Sequence, residues 1–404
     1  MSLRTSNNWA PRKGQEPPAR AGHLAFDMDF PGHAVHAIVG GYGANGPMKD
    51  VWMHKSGKWN NIFTAKEDDE NHPLSRMEYS GCILGNEIFI LGGMFIDEGD
   101  QVSILNDLWS FNLTSKTWKM ITEESTISER CNHLCVPLDD DRFVVHGGDC
   151  MGPLGDLWLY QKSNNTWSTI PFDLEKCPPA RYSHSGCLWH RSAAGSKFVV
   201  VFGGLTVDAL HMNDIWLLNV TSPDANDWTW HQREFSPLAP SPRDSASVVV
   251  IDGTLLIFGG FGLVDLDDDE EEEEEDDVDN NGDSNGNNDS NDEKGHEQDM
   301  EEPPITVFHD TQESAISQIG EKETEGEENV MITYLNDFWS INLESMDSTC
   351  LSDEGAGSMI QARRGACLMK TTDGNNLNIF GGFEEEHGFF GMQEIGFAVV
   401  SGES

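Results

Sequence analysis

Residues 76–118 read RMEYSGCILGNEIFILGGMFIDEGDQVSILNDLWSFNLTSKTW. Arg76 opens the stretch, the apolar run "IFIL" ends in Gly92-Gly93, Asp107-x-Trp109 opens a further run, and Trp118 lies in a fourth. Turn formers such as "NLTSKT" separate the runs, so the stretch reads as four short strands joined by tight connections. The glycine pair permits positive φ and lets a neighbouring strand approach closely.

Working outward, the same unit recurs. Glycine pairs stand at Gly40-Gly41, Gly92-Gly93, Gly147-Gly148, Gly203-Gly204, Gly259-Gly260 and Gly381-Gly382. Each is preceded by an arginine: Arg20, Arg76, Arg130, Arg181, Arg243 and Arg363. Five are followed by Asp-x-Trp, at Asp50/Trp52, Asp107/Trp109, Asp156/Trp158, Asp214/Trp216 and Asp337/Trp339. Trailing tryptophans follow at Trp59, Trp118, Trp167 and Trp228 or Trp230. The first five pairs lie 52, 55, 56 and 56 residues apart. A fixed period marks a repeat array. One four-stranded unit cannot bury both its faces, whereas a closed ring of them can.

The sixth pair lies 122 residues beyond the fifth, and setting aside the 66 residues of 264–329 restores a spacing of 56. That segment holds 28 acidic residues against Lys294 and Lys322, a net of −26 out of −45 for the chain. Its composition cannot bury enough apolar surface to order itself, so it is expected to be a disordered loop between the second and third strands of the fifth unit. The fifth unit has no trailing tryptophan in "ESMDSTCLSDEGAG", so a poor outer strand is expected there.

Arginine, apolar strand, Gly-Gly, Asp-x-Trp and trailing tryptophan together resemble the kelch repeat, over nearly the whole chain except 264–329. The resemblance implies an all-β fold, a six-bladed kelch-type β-propeller. Residues 1–263 would form blades 1 to 5 (the fifth in part) with an N-terminal closing strand. Residues 264–329 would be the acidic insertion, and 330–404 the remainder of blade 5 and blade 6. The sixth unit stops after "QEIGFAVV" without a fourth strand. Trp9 stands 11 residues before Arg20, close to the 12 between Trp118 and Arg130, so "SNNWAP" is expected to supply that strand and remove an open edge.

The residues outside 264–329 still sum to −19, which excludes a basic nucleic-acid footprint. The N-terminus shows no apolar signal region and no run is long enough to span a membrane, so a cytoplasmic protein is expected, with the nucleus as the alternative. The eight cysteines read as small core residues; Cys131 and Cys135 are the one close pair, a weak metal signal. His23, His133 and His184 each lie three residues after a repeat arginine, which marks a packing position.

Enzymes with similar repeats set a comparison. Galactose oxidase holds copper with tyrosines and histidines, and none of Tyr42, Tyr79, Tyr160, Tyr182 and Tyr334 sits with a histidine in such a cluster. Plant specifier proteins use Glu-x3-Asp-x3-His, and here Asp68-x3-His72 has Thr64 in the glutamate's place. The chain therefore reads as a non-catalytic, monomeric scaffold or adaptor with no cofactor and no metal. The alternative is a small-molecule enzyme, of oxidase, epimerase or specifier type, whose pocket comes from separate loops. Binding is expected on the face bearing the loops between strands two and three. The resemblance implies that Arg20, Arg76, Arg130, Arg181, Arg243 and Arg363 contact a protein or peptide there, an acidic one if the guanidiniums carry the recognition. The competing role for each arginine is to brace its own blade through backbone carbonyls.

Overall fold

The computed structural model describes residues 2–5, 16–30, 33–55, 58–66, 71–97, 99, 101–191, 195–265, 330–351, 360–370, 376–385 and 388–398. The chain divides into two units, one of Met1–Val264 with Ile332–Ser404 and one of Asp265–Met331. The second lies almost wholly outside the described residues, and so does the expected disorder of the insertion.

The first unit consists of consecutive antiparallel sheets, each a four-strand meander built from one sequence repeat. Blade 1 holds Leu24–Phe30, His33–Val39, Asp50–Lys55 and Lys58–Thr64. Blade 2 holds Ser80–Leu84, Glu87–Ile96, Val102–Asn112 and Thr117–Thr122. Blade 3 holds Leu134–Pro137, Arg142–Asp149, Pro153–Gln161 and Thr166–Thr169. Blade 4 holds Ser185–Arg191, Ser196–Phe202, Ile215–Asn219 and Thr229–Arg233.

Blade 5 is built on Ser247–Ile251, Thr254–Asp265, Val330–Asn342 and Ser348–Cys350. Its second and third strands are sheet neighbours although 264–329 separates them in sequence. Its outer strand has three residues, as the absent tryptophan leads one to expect. In blade 6 the strands are Arg364–Lys370, Asn376–Glu384, Met392–Ala398 and, from the other end of the chain, Ser2–Thr5. The N-terminal pairing runs from Ser2↔Ala398 to Thr5↔Ile395. Closure by the N-terminus is thus made by residues nearer the start than expected, and Trp9 lies outside the described residues.

Burial explains why these sheets gather. Apolar residues on both faces of each inner strand leave the water only when another sheet covers them. Each sheet's first strand touches the first strand of the next, and Arg364–Lys370 of blade 6 touches Leu24–Phe30 of blade 1. The cores lie between blades. Val39 and Val51 of blade 1 pack with Ile88 and Trp109 of blade 2, and Val201 and Trp230 of blade 4 pack with Val136 and Leu157 of blade 3. Met369 and Phe380 of blade 6 pack with Ile38 and Trp59 of blade 1. Truncating one of the buried tryptophans would cost on the order of 3–5 kcal/mol.

The glycine pairs bind blade to blade. The second glycine of a pair donates its N–H to the repeat arginine's carbonyl on the next blade: Gly93 to Arg130, Gly148 to Arg181, Gly204 to Arg243 and Gly260 to Arg363, each at 2.9 Å. Gly92 and Gly93 hold φ of +57° and +92°. A methyl group on Gly92 would meet the Arg130 carbonyl at 2.5 Å, and one on Gly93 the Met77 carbonyl at 2.7 Å. Only glycine satisfies both the conformation and the contact.

Candidate functional site

Each repeat arginine enters its first strand beside the glycine pair and turns inward. Arg20, Arg130, Arg181 and Arg243 have no exposed surface, and Arg76 and Arg363 have 4 % and 2 %. Arg20 donates from Nη1 and Nη2 to the two carboxylate oxygens of Asp50 at 2.6 and 3.0 Å, and from Nη1 to the Gly40 carbonyl at 2.7 Å. The same carboxylate accepts the indole N–H of Trp52 at 2.7 Å. The arrangement repeats as Arg76–Asp107–Trp109, Arg130–Asp156–Trp158, Arg181–Asp214–Trp216 and Arg243–Asp337–Trp339. These bidentate, charge-assisted bonds satisfy a cation that burial would otherwise make costly. Burial alone would raise Asp156, yet the Arg130 pairing and the Trp158 N–H hold its carboxyl below the usual carboxylate range.

Blade 6 has no Asp-x-Trp. There Arg363 donates to the carbonyls of Gln361 and Gly381 at 3.0 and 3.3 Å, and its guanidinium lies 3.9 Å from the centroid of the Phe390 ring. Burial lowers its pKa to about 10. All six arginines therefore lie beneath the loop face, bracing their blades. This is the bracing role expected as the alternative to partner contact.

The histidines three places after an arginine are interblade packing. Each sits against the first glycine of the preceding blade, His133 against Gly92, His184 against Gly147 and His23 against Gly381. His184 Nε2 lies 3.0 Å from His146 Nδ1. Burial, with Arg20 adding to it, lowers His23 to about 3. Burial and Arg181 lower His146 to about 3, and His133 and His184 are also held well below the ordinary value by burial. His72 is buried with Nδ1 at 2.6 Å from the Pro73 carbonyl, and Asp68 lies outside the described residues.

Burial also pushes the Cys131 and Cys135 thiols up to about 12. Among the described residues no group of three His, Cys, Asp or Glu is placed to hold a metal ion. Between blades 1 and 2 a cavity of about 30 Å³, lined in part by Phe63, His72 and Tyr79, has room only for water.

Beside the arginines of blades 1, 5 and 6 the loop end is aromatic. The residue after each glycine pair pairs with the residue after the arginine, Tyr42 with Ala21, Phe261 with Asp244 and Phe383 with Arg364. This places Tyr42, Phe261 and Phe383 at the loop end of blades 1, 5 and 6. Tyr42 meets Phe389 at a ring separation of 5.7 Å, Phe389 meets Phe383 at 5.1 Å, Phe383 meets Tyr334 at 6.3 Å, and Tyr334 meets Phe261 edge-on at 5.0 Å. His211 of the blade 4 loop extends the row, 6.1 Å from Phe261. The five tyrosine and phenylalanine residues are half-buried and the His211 side chain is covered, so an arc of ring surface reaches solvent across blades 1, 5 and 6. No linear motif announces it.

Charge surrounds the arc. The Arg364 guanidinium lies 5.6 Å from the Phe261 ring centroid. His211 Nε2 is 3.0 Å from Asp244 Oδ2. Burial raises the Tyr334 hydroxyl; Arg364 opposes this, while Glu385, Glu384 and Asp244 add to it. Desolvation likewise raises the Glu78 carboxyl, against the nearby Arg364 and with Asp244.

Glu78 belongs to a further ring of residues, the second after each arginine. Gly22, Glu78, Asn132, Ser183, Ser245 and Gly365 all hold φ between +51° and +63°. Asn132 donates its N–H to the Glu78 carbonyl, Ser183 to that of Asn132, Ser245 to that of Ser183, and Gly365 to that of Ser245, at 2.8, 2.9, 2.8 and 3.1 Å.

Comparison with known proteins agrees with this frame. The model of the KLHDC2/KLHL20/DRC7 kelch-repeats domain matches residues 3–194 and 175–278. An F-box/kelch-repeat protein of Arabidopsis thaliana is 24 % identical over 361 residues, covering 84 % of this chain and 58 % of its own length. Host cell factor of Drosophila melanogaster is 24 % identical over 211 residues, 52 % of this chain and 11 % of that protein. Dynein regulatory complex subunit 7 of Chlamydomonas reinhardtii is 34 % identical over 86 residues, 21 % of this chain and 7 % of that protein. The chain thus spans little more than half the length of the first of these relatives and far less of the others. Among solved structures, that of YjhT aligns with a TM-score of 0.59 at 10 % identity, covering 96 % of this chain and 97 % of the other, a likeness of fold. Among the described residues no helix is long and apolar enough to cross a membrane.

Proposed function

The chain belongs to the kelch-repeat family, and from that membership we propose that it is a scaffold or adaptor whose loop face binds a protein partner. The observation that carries this reading is the arc Tyr42–Phe389–Phe383–Tyr334–Phe261, ring surface held half open on a rigid wall. Rigid aromatics concentrate binding energy at protein interfaces because they bring large area at little entropic cost. The sheets fix the rings from below, so the surface is organised before a partner arrives. The six repeat arginines belong to the reading as the brace that sets the loops' positions. The relatives point the same way by name, one of them an F-box/kelch-repeat protein and another a dynein regulatory complex subunit.

The test is affinity capture with the chain and with a Tyr42→Ala/Phe389→Ala variant, checked for an unchanged melting temperature. Loss of a reproducibly captured protein supports the loop face as the interface. Full retention by the folded variant overturns it.

A further inference from the structure

We propose that the mouth of the loop face takes a basic segment, with a lysine or arginine side chain seated against the Phe261–Tyr334–Phe383 rings beside Glu78, Glu384 and Glu385. This rests on the reading that the loop face binds a protein and names the chemistry of that protein. Three observations carry it. First, the arginines expected to attract an acidic partner are spent within the fold: five are clamped by aspartates and all six are buried. Second, carboxylates gather near Tyr334. Asp244, Glu384 and Glu385 raise its hydroxyl while Arg364 opposes them, and Arg364 and Asp244 act on Glu78 in the same opposed way; Asp244 is buried against His211, and Glu78, Glu384 and Glu385 reach solvent. A cation arriving there gains attraction where an anion would meet repulsion. Third, the rings suit a cation. The faces of Phe and Tyr attract guanidinium and ammonium groups, and Arg364 already lies 5.6 Å from the Phe261 centroid.

The loops entering this face add the same sign. Glu384 and Glu385 follow the blade 6 glycine pair, and Asp97 follows that of blade 2. Outside 264–329 the chain sums to −19, so the long-range field also draws a basic partner.

The probes are two labelled, end-blocked peptides, GRGRGRG and GEGEGEG, titrated against the full chain by fluorescence anisotropy at about 50 and about 300 mM salt. Because the insertion is itself acidic, two pairs of charge reversals separate its contribution. One is Glu384→Lys with Glu385→Lys at the mouth, and the other is Glu271→Lys with Glu272→Lys in the insertion. The arginine peptide is expected to bind and the glutamate peptide not. The mouth reversals should weaken binding about tenfold at low salt, and less at high salt. The insertion reversals should change it less than about twofold. Tyr334→Leu keeps an apolar side chain but removes the ring face, and should weaken binding about threefold.

Tighter binding of the glutamate peptide overturns the proposal. So does an equal loss from the insertion reversals, or binding indifferent to the mouth reversals, which fall at the half-exposed end of the strand Asn376–Glu384 and just beyond it, outside the core. If those results came while Tyr42→Ala/Phe389→Ala still abolished partner capture, the face would be right and the partner's charge wrong. If capture also persisted, the loop-face reading itself would fall.

Discussion

The amide of Gly382 donates to the carbonyl of Arg20 at 2.8 Å. It is the bond that Gly93 makes to Arg130, now running from the last blade to the first, and the cluster of Met369, Phe380, Ile38 and Trp59 lies across the same junction. The junction is therefore held by the same inner-strand devices as the others. It differs at the outside, where the fourth strand of blade 6 is Ser2–Thr5. Deleting residues 1–5 bares the edge of Met392–Ala398 and should lower the melting temperature by at least about 5 °C, with increased aggregation on heating. An unchanged melting curve by differential scanning fluorimetry would show that the outer strand contributes nothing.

The buried guanidinium–carboxylate pairs predict an asymmetric mutational response. Arg181 is fully buried, Asp214 nearly so, and Arg181 also holds the Gly203 carbonyl at 2.9 Å. Arg181→Met strips the guanidinium from a nearly buried carboxylate that also accepts the Trp216 N–H, and should cost about 3–5 kcal/mol. The double variant Arg181→Met/Asp214→Leu removes both charges and should regain part of that loss. Urea unfolding of the parent, Arg181→Met, Asp214→Leu and the double variant measures the difference. A double variant as unstable as the sum of the singles contradicts the argument.

Buried neutral histidines make the fold acid-sensitive. The unfolded chain protonates its histidines near 6.5, whereas His23 and His146 in the fold accept a proton only near 3. Between these values the unfolded state binds more protons. Stability is thus complete above about 6.5 and falls as pH drops toward 3, by about 1.4 kcal/mol per pH unit for each histidine. Urea midpoints between about pH 7.5 and about pH 5 should fall, and His23→Leu should flatten the slope. Equal slopes in the two proteins would remove His23 from the explanation.

The strands flanking the insertion, Thr254–Asp265 and Val330–Asn342, are neighbours in one sheet. Replacing 266–329 with a short Gly/Ser linker keeps that pairing and shortens the loop to be closed. The chain should still unfold in one cooperative step, within a few degrees of the parent, since loop closure depends only weakly on length. Failure to obtain folded protein would show that the insertion packs as part of the structure.

The fold was legible because its cause is periodic. One arginine, one glycine pair and one Asp-x-Trp per unit recur with a spacing that only a repeated sheet explains, and the displaced sixth pair located the insertion. The histidines after Arg20, Arg130 and Arg181 were legible as packing for the same reason. The aromatic arc was not. Its rings come from three units and meet only after the ring closes. The signal was present in a different form: at the position after each glycine pair the residues are Tyr42, Met94, Asp149, Leu205, Phe261 and Phe383. A constant frame holding one variable place marks surface chemistry, and aromatics gather there in the units that become neighbours. The arginines were found as positions, but their occupation by Asp50, Asp107, Asp156, Asp214 and Asp337 required the third dimension.

The left-handed residues from Glu78 to Gly365 have an electrical consequence. Four backbone hydrogen bonds link them from blade to blade, each N–H donating to the carbonyl of the corresponding residue one blade earlier. These bonds occupy the N–H groups of Asn132, Ser183, Ser245 and Gly365, so charge at these places can come only from side chains. Of the six that stand at those places, Gly22, Glu78, Asn132, Ser183, Ser245 and Gly365, one can ionise. That residue, Glu78, feels the charges of Arg364 and Asp244, so exchanging it for glutamine removes one charge from the inner row while leaving the row's backbone hydrogen bonds in place.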